Sequence, residues 1–267
     1  MKNSITNKII TTFSEKKENI LSVYFTAGFP NLNDTKVIMK NLQKAGADII
    51  EVGIPFSDPV ADGPTIQESN KVALDNGITL IKILKQLESI KDEISIPVIL
   101  MGYLNPIYQY GLEKFSAHCK KAGVSGLIIP DLPMAEYIES YKSVFENNGL
   151  ANIFLITPQT TEERIREIDE NSSGFIYMVS SSSTTGARRG LSNEQLNYFK
   201  RVNDMKLSSP LLIGFGISDY DSFNQASNYA QGAIIGSAFI NLIKESESLE
   251  EDIIDYVQQI KGIQKTL

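Results

Sequence analysis

Eight short apolar runs recur along the chain and constrain the fold more than any other feature of the sequence. They are rich in isoleucine, valine, leucine and aromatic residues: ILSVYF, DIIEVGI, PVILMGY, SGLIIP, NIFLIT, GFIYMV, PLLIGFG and GAIIGSA. Runs of this length and composition predict strands that are buried on both faces.

Segments with helical spacing separate the runs. In the segment at residues 34–46, Gly46 predicts the end of a helix. One stripe of that helix is expected to consist of five residues: Val37, Ile38, Asn41, Leu42 and Ala45. Because parallel strands need crossover connections, the alternation of strand and helix predicts a parallel α/β fold.

The β-then-α units follow one another without a linker or a break in composition, so we expect one (β/α)8 TIM-barrel domain over residues 1–267. The alternative is a doubly wound sheet, which concentrates unusual residues at one switch point, whereas a barrel has them at the ends of several strands. Here they follow six of the runs, which favours the barrel. Ile5, Ile9 and Phe13 are spaced by four residues and predict an extra N-terminal helix that closes the barrel bottom.

The composition excludes several classes of function. A formal net charge of -7 disfavours a nucleic-acid partner, which needs clustered lysine and arginine. The single cysteine, Cys119, rules out an intramolecular disulfide. No apolar run approaches the roughly 18 residues that span a bilayer, and the first residues lack the apolar core of a secretory signal. We therefore expect a cytoplasmic enzyme that binds no membrane.

Glu51 is a carboxylate inside an apolar strand. The strand period of two places it on the face opposite Ile50 and Val52, so it points into the barrel mouth if those two residues pack against the helices. No lysine or arginine occurs between Lys44 and Lys71. Burial without a nearby cation would raise the pKa of Glu51 toward the range of a general acid–base. The alternative is a strand-end glutamate that reaches solvent or a distant arginine.

Two further carboxylates, Asp58 and Asp62, lie in the loop FSDPVADGP after the second run. Aspartate before proline or glycine is common in turns, because its side chain caps the local backbone. A turn role is therefore the first interpretation of either residue. Asp62 would gain a functional role if the loop folds back over the barrel mouth and its oxygen meets a substrate donor.

Three glycine-bearing segments, TTGARRG, GFGIS and GSAF, follow the last three runs. In barrels, glycines at these positions and a short helix N-terminus let backbone amides approach a phosphate. The stretch GSAFINLI predicts such a helix, opened by Ser237. Because GFGIS and GSAF contain no cation, we expect an amide-based phosphate site; ordinary turn glycines remain the alternative for any one segment.

Three tyrosines, Tyr24, Tyr103 and Tyr177, fall late in predicted strands and could line the mouth, although core packing explains any single one equally well. His118 is the only histidine and lies beside Cys119 in a helical stretch, so a packing or surface role is favoured over catalysis. The sequence contains no cluster with metal-ligand spacing.

Six motifs occur in a fixed order along the chain: EVGIPFSDPVADGPTIQ, GYLNPIYQYG, PDLP, TTGARRG, GFGIS and GSA. With them the chain resembles the tryptophan synthase alpha subunit family over essentially its whole length. The resemblance implies a (β/α)8 barrel that cleaves indole-3-glycerol phosphate to indole and glyceraldehyde 3-phosphate. It also implies no cofactor, and a beta subunit as partner in an α2β2 heterotetramer.

The resemblance also implies residue roles. Glu51 matches the general acid–base, and Asp62 matches the carboxylate that accepts the indole N–H. Tyr177 matches an active-site tyrosine, and Phe215 matches an aromatic residue near the substrate. Four positions match the phosphate-binding backbone: Gly186, Gly216, Gly236 and Ser237.

The loop SSSSTTGARRG, at residues 180–190, is expected to be a lid that closes over bound substrate. Closure would bring Thr185 toward the Asp62 loop, where its hydroxyl could hydrogen-bond the carboxylate. The loop departs from the family at Ser183 and Thr184, where a glycine and a valine are common, so its hinge behaviour could differ.

Two other functions stay open at this stage. The chain could act mainly as an allosteric activator of a beta subunit, with weak or no catalysis of its own. It could instead be a stand-alone lyase that releases indole without a partner. Indole release with and without a beta subunit distinguishes these readings.

Overall fold

A closed barrel of eight parallel strands forms the centre of the molecule. The computed structural model describes residues 7–60, 62–179, 192–214 and 216–263. The strands pair in chain order, and the last pairs with the first, which confirms the predicted barrel over the doubly wound sheet. They are β1 (Ile20–Thr26), β2 (Ile49–Gly53), β3 (Val98–Met101), β4 (Gly126–Ile128), β5 (Ala151–Ile156), β6 (Ile176–Val179), β7 (Leu211–Gly214) and β8 (Gly232–Ile235).

Helices connect the strands and cover the outside of the barrel. They are α1 (Lys8–Glu15), α2 (Asp34–Ala45), α3 (Pro64–Asp75), α4 (Leu80–Ile90), α5 (Leu104–Tyr110), α6 (Leu112–Lys121), α7 (Met134–Glu136), α8 (Lys142–Asn147), α9 (Glu162–Asn171), α10 (Asn193–Asp204), α11 (Tyr220–Ser227), α12 (Ser237–Glu245) and α13 (Leu249–Ile260). A π-helical turn at Tyr137–Tyr141 joins α7 to α8. In the described part of the chain, every helix is too short or too polar to cross a membrane.

The alternation predicted for β2 is present. Ile50 and Val52 are buried in the layer between strands and helices, whereas Ile49 belongs to the separate apolar cluster inside the barrel. Glu51 shares the inward face with Ile49 because successive strand residues point to opposite sides. All five residues of β2 are buried, which agrees with a strand covered on both faces.

Helix α1 closes the barrel bottom, as its spacing predicts. Ile9 and Phe13 are buried in the interior cluster, and the Phe13 ring lies 5.7 Å from that of Phe175. The Asn7 side chain accepts from the Ile9 amide and donates to two loop carbonyls, which fixes the start of the helix. Ile5, the first residue of the predicted stripe, lies outside the described residues.

Helix α2 begins and ends where the sequence predicts, and Gly46 ends it with a φ of 95°. The predicted buried stripe is wrong at Val37, which is 44% exposed. Thr35 and Met39 are buried instead, together with the other predicted residues. The buried face is therefore rotated away from Val37, because packing against the barrel decides which side of the helix is covered.

Candidate active site

Glu51 lies at the centre of the candidate site. Its side chain is fully buried, and the Ser22 hydroxyl donates to Oε1 at 2.6 Å. The other oxygen, Oε2, is buried and has no hydrogen-bond partner among the described residues. Burial raises the pKa of Glu51 to about 7, against the opposing effect of the Ser22 hydrogen bond. Both protonation states are thus accessible near neutral pH.

Two other acids between Lys44 and Lys71 form ion pairs, although their cations come from distant parts of the sequence. Lys16 lies 2.6 Å from Asp48, and Lys244 lies 2.7 Å from Glu68. None of the ion pairs between described residues includes Glu51. Glu51 thus has no lysine or arginine near it in the sequence, and it forms no ion pair with a described residue in the folded chain.

Asp62 lies in the loop between β2 and α3, and this loop folds back toward the mouth. The Tyr103 hydroxyl donates to Asp62 Oδ2 at 3.3 Å. Burial raises the pKa of Asp62, and the Tyr103 hydrogen bond opposes that effect. Asp58, four residues earlier, is exposed and accepts from the Ser57 hydroxyl, which fits the turn interpretation.

Tyr103 lies past the end of β3 and precedes α5, so its predicted place inside a strand is wrong by two residues. Its ring stacks on Phe56, with ring centroids 5.0 Å apart and an interplanar angle of 30°. Phe56 belongs to the same loop as Asp62. The stacked pair therefore helps to hold the loop after β2 against the segment after β3.

Tyr24 and Tyr177 each lie over a glycine that ends the next strand of the barrel. Gly53 ends β2, beside Tyr24 of β1, and Gly214 ends β7, beside Tyr177 of β6. A Cβ atom on Gly53 would overlap the Tyr24 hydroxyl, and one on Gly214 would overlap the Tyr177 ring. Both phenols have pKa values raised first by burial and also by the nearby charges of Glu51 and Asp62. Both therefore stay protonated in the working pH range. Glu51, Asp62, Tyr24 and Tyr177 form one polar cluster at the mouth, in which Glu51 and Tyr177 are buried and the other two are partly exposed.

The ends of β7 and β8 offer backbone groups at the same rim. Helix α12 begins at Ser237, and no side chain caps its N-terminus. Its free amides and its dipole suit an anion. Gly216 has a φ of +76°, a conformation that favours glycine. A Cβ on Gly236 would lie 3.7 Å from Tyr24, so this end of the site adjoins the polar cluster.

Three predicted site residues, Thr185, Gly186 and Phe215, lie outside the described residues, as does the expected lid at residues 180–190. His118 is away from the cluster: its Nδ1 lies 2.6 Å from the Tyr110 hydroxyl, which agrees with a packing role. In the described ranges no group of three or more histidine, cysteine, aspartate or glutamate side chains could hold a metal ion.

Sequence reasoning missed Ser22 and the two glycines, Gly53 and Gly214, that make room for the tyrosine rings. Ser22 could have been predicted from the sequence, since it lies two residues before Tyr24 in the same strand and so shares its inward face. Gly53 carries no such signal, because the side chain that fills its space comes from the neighbouring strand. The need for glycine is visible only once β1 and β2 are paired, with Thr26 opposite Gly53.

The fold and the site define an enzyme of the (β/α)8 class, with a buried carboxyl of raised pKa, that of Glu51, inside the barrel. The family model of the tryptophan synthase alpha chain matches residues 10–266, and the chain belongs to that family. It is accordingly a lyase that cleaves indole-3-glycerol phosphate to indole and glyceraldehyde 3-phosphate in tryptophan biosynthesis.

Individual relatives agree with the family model. The tryptophan synthase alpha chain of Flavobacterium psychrophilum is 56% identical over 240 residues, which cover 90% of this chain and 94% of the relative. That of Flavobacterium johnsoniae is 55% identical over 242 residues, covering 91% and 95%. Among solved structures, tryptophan synthase subunit alpha from Legionella pneumophila superimposes with a TM-score of 0.88 at 33% identity, covering 98% of this chain and 100% of the other.

Proposed function

We propose that Glu51 and Asp62 carry out the cleavage of indole-3-glycerol phosphate, with Glu51 as the general acid–base. The observation that carries the proposal is the buried carboxyl of Glu51, whose Oε2 has no hydrogen-bond partner among the described residues. With a pKa of about 7, the group can give up a proton and take one back near neutral pH.

The reaction is a retro-aldol cleavage with two proton transfers. Protonated Glu51 delivers its proton to ring carbon C3, which produces a cationic indolenine. The glycerol hydroxyl on the adjacent carbon then loses its proton to the carboxylate of Glu51 and becomes an aldehyde carbonyl. The electrons of the breaking carbon–carbon bond return to the ring, so indole leaves and Glu51 is protonated again.

Asp62 stabilises the charge that develops during the first step. As C3 gains a proton, positive charge accumulates at the ring nitrogen, and an ionised carboxylate that accepts its N–H stabilises the transition state. The Tyr103 hydroxyl donates to Asp62 Oδ2 and so favours the ionised form. Burial alone would favour the neutral form, so Tyr103 is proposed to position Asp62 and to keep it charged.

The phosphate of the substrate is proposed to bind at the ends of β7 and β8, through the amides near Gly216, Gly236 and Ser237. The uncapped N-terminus of α12 supports this placement. Gly186 and Phe215, which lie outside the described residues, stay predicted members of the site, as does Thr185. Tyr24 and Tyr177 are proposed to contact the bound substrate.

A tryptophan synthase beta subunit is the proposed partner, in an α2β2 heterotetramer. Members of this family normally pair with that subunit, and a solved structure of Mycobacterium tuberculosis tryptophan synthase resembles this chain with a TM-score of 0.86 at 31% identity, covering 96% and 97%. Val60 and Tyr108 are 88% and 72% exposed in the loop after β2 and in α5 at the same rim. Exposed apolar side chains of this kind suit a protein partner at the strand ends.

The test is indole release by the isolated chain and two active-site variants. We expect Glu51→Gln to lose activity by about 10³-fold and Asp62→Asn by about 10²-fold, since each loses a group that acts in the transition state. Asp58→Asn is the matched control, because it removes an exposed carboxylate from the same loop. Near-wild-type turnover by Glu51→Gln or Asp62→Asn, or a comparable loss in Asp58→Asn, would contradict these roles.

A further inference from the structure

Tyr256 of α13 contacts both of the segments at which the phosphate is proposed to bind. Its hydroxyl donates to the Ser218 carbonyl, in the loop after β7, at 3.1 Å. Its ring centroid lies 6.1 Å from that of Phe239, with an interplanar angle of 40°. Phe239 is the third residue of α12 and is fully buried. One side chain thus connects the loop after β7 with the first turn of the helix that follows β8.

Hydrogen bonds within the loop after β7 fix its turn into α11. The Ser222 hydroxyl accepts from the Ser218 amide at 3.0 Å and from the Asp219 amide at 3.1 Å. The Asp219 carboxylate accepts from the Ser222 amide at 2.8 Å and caps the helix. These bonds are local, whereas the Tyr256 hydroxyl ties the same turn to an element 38 residues further along the chain.

The loop amides nearer to β7 are the ones left for an anion. The amides of Gly216 and Ile217 donate no hydrogen bond to a described residue. Helix α12 offers a second group of amides, since no side chain caps its N-terminus. A phosphate that accepts from both groups needs them at a fixed separation, because a hydrogen bond weakens steeply outside a narrow range of distance and angle.

We propose that Tyr256 is a positioning residue for the substrate phosphate, which holds the loop after β7 at the distance from α12 that lets both groups of amides bind it. This inference rests on the phosphate placement in the proposed function. The buried Phe239 ring sets where Tyr256 lies relative to α12, and the hydroxyl sets where the loop lies relative to Tyr256. Burial first, and the charge of Asp219 second, raise the pKa of Tyr256, so the phenol keeps the proton that it donates.

Tyr256→Phe tests the inference, because it removes the hydroxyl and keeps the ring beside Phe239. Binding of glycerol 3-phosphate to the whole chain, measured by calorimetry, should weaken about fivefold, as expected for the loss of one hydrogen bond. Binding of indole, which carries no phosphate, should stay within about twofold. In indole-3-glycerol phosphate cleavage, KM should rise about fivefold and kcat should stay within about twofold, because the phosphate is bound alike before and during the reaction.

Tyr198→Phe is the matched control. Tyr198 is also a helix tyrosine whose ring packs on that of a phenylalanine, and its hydroxyl donates to the Ile156 carbonyl at the end of β5 at 3.0 Å. This variant should leave glycerol 3-phosphate binding and KM within about twofold of wild type, since its hydrogen bond lies at another strand. An equal loss of glycerol 3-phosphate binding in Tyr198→Phe, or equal weakening of glycerol 3-phosphate and indole in Tyr256→Phe, would overturn the inference.

Gly236→Val separates failure of this inference from failure of the proposed function. Tyr24 is the nearest described side chain to a Cβ at this position, at 3.7 Å, so we expect the variant to fold with its added bulk beside the uncapped end of α12. If Gly236→Val weakens glycerol 3-phosphate binding and Tyr256→Phe does not, the phosphate placement stands and the role of Tyr256 is wrong. If neither variant weakens it, the phosphate placement is wrong and the inference falls with it.

Discussion

Two carboxylates three residues apart, Asp48 just before β2 and Glu51 in the middle of it, have opposite surroundings. Asp48, just before the strand, is held by Lys16 Nζ at 2.6 Å, by Lys261 Nζ at 3.2 Å and by the Leu21 amide at 2.8 Å. Glu51, three residues later, has one hydroxyl donor and no cation among the described residues. A carboxylate is thus compensated by two cations just before the strand, whereas the carboxyl group within the strand is left partly unsatisfied.

This difference separates stability from function along one strand. Asp48 ties together the segment after α1, the start of β2 and the end of α13, where Lys261 also donates to the Gly46 carbonyl. Such contacts at the bottom of a barrel serve stability, whereas groups at the carboxyl ends of the strands serve chemistry. A buried acid without a cation lowers the stability of the fold. We infer that Glu51 is kept despite this because its burial raises its pKa.

The largest expected effect is the pH dependence that Glu51 imposes on stability. Its pKa is about 7 in the folded chain, against the ordinary value of 4.5 when unfolded. The folded state therefore holds a proton that the unfolded state has lost in this window. The contribution of Glu51 is fully present below pH 4.5 and is lost as the pH rises through 7, a change of about 3 kcal/mol.

Urea unfolding of the wild-type and Glu51→Gln chains across this pH range measures the effect. The free energy of unfolding of the variant should increase relative to that of the wild type as the pH rises, because glutamine is neutral at every pH. Effects of all other titrating groups cancel in the difference between the two chains. If the free energies of unfolding of the two chains changed in parallel with pH, Glu51 would have the same pKa in the folded and unfolded states. The proposed contrast with Asp48 would then be wrong.

Asp48→Asn should give a smaller loss, of about 2 kcal/mol, in the free energy of unfolding. The change leaves two ammonium groups near each other without their shared carboxylate, and Lys261 is the more buried of them. Indole release per folded molecule should stay within about twofold of wild type, since the site lies at the other end of the barrel. A large loss of activity with an unchanged free energy of unfolding would contradict a stabilising role for Asp48.

Much of the fold follows from local pattern. Strand periodicity located the inward face of β2, and four-residue spacing located the helix that closes the barrel, because both depend on neighbours in the sequence. The exposed Val37 could not be predicted, since the barrel decides which side of α2 is covered. The cations of Asp48 come from 32 and 213 residues away, so only the folded chain shows which carboxylates are compensated.

The site was predictable where chemistry and strand position coincide. Glu51 stands out as a carboxylate within an apolar run, and the structure places it in the barrel interior. Asp62 was ambiguous from its turn-like sequence, and the Tyr103 hydroxyl that distinguishes it from Asp58 comes from another loop. Ser22 and Gly53 acquire their roles only through the pairing of β1 with β2.

Titration of the Glu51 carboxyl itself shows whether burial without a cation raises its pKa. Carbon NMR of the chain labelled at glutamate carboxyl carbons, with Glu51→Gln to assign the signal, reports its protonation state at each pH. We expect a midpoint at a pH of about 7, set by burial without a cation. A midpoint near the ordinary value of 4.5 would contradict both the uncompensated burial of Glu51 within β2 and its proposed role in proton transfer.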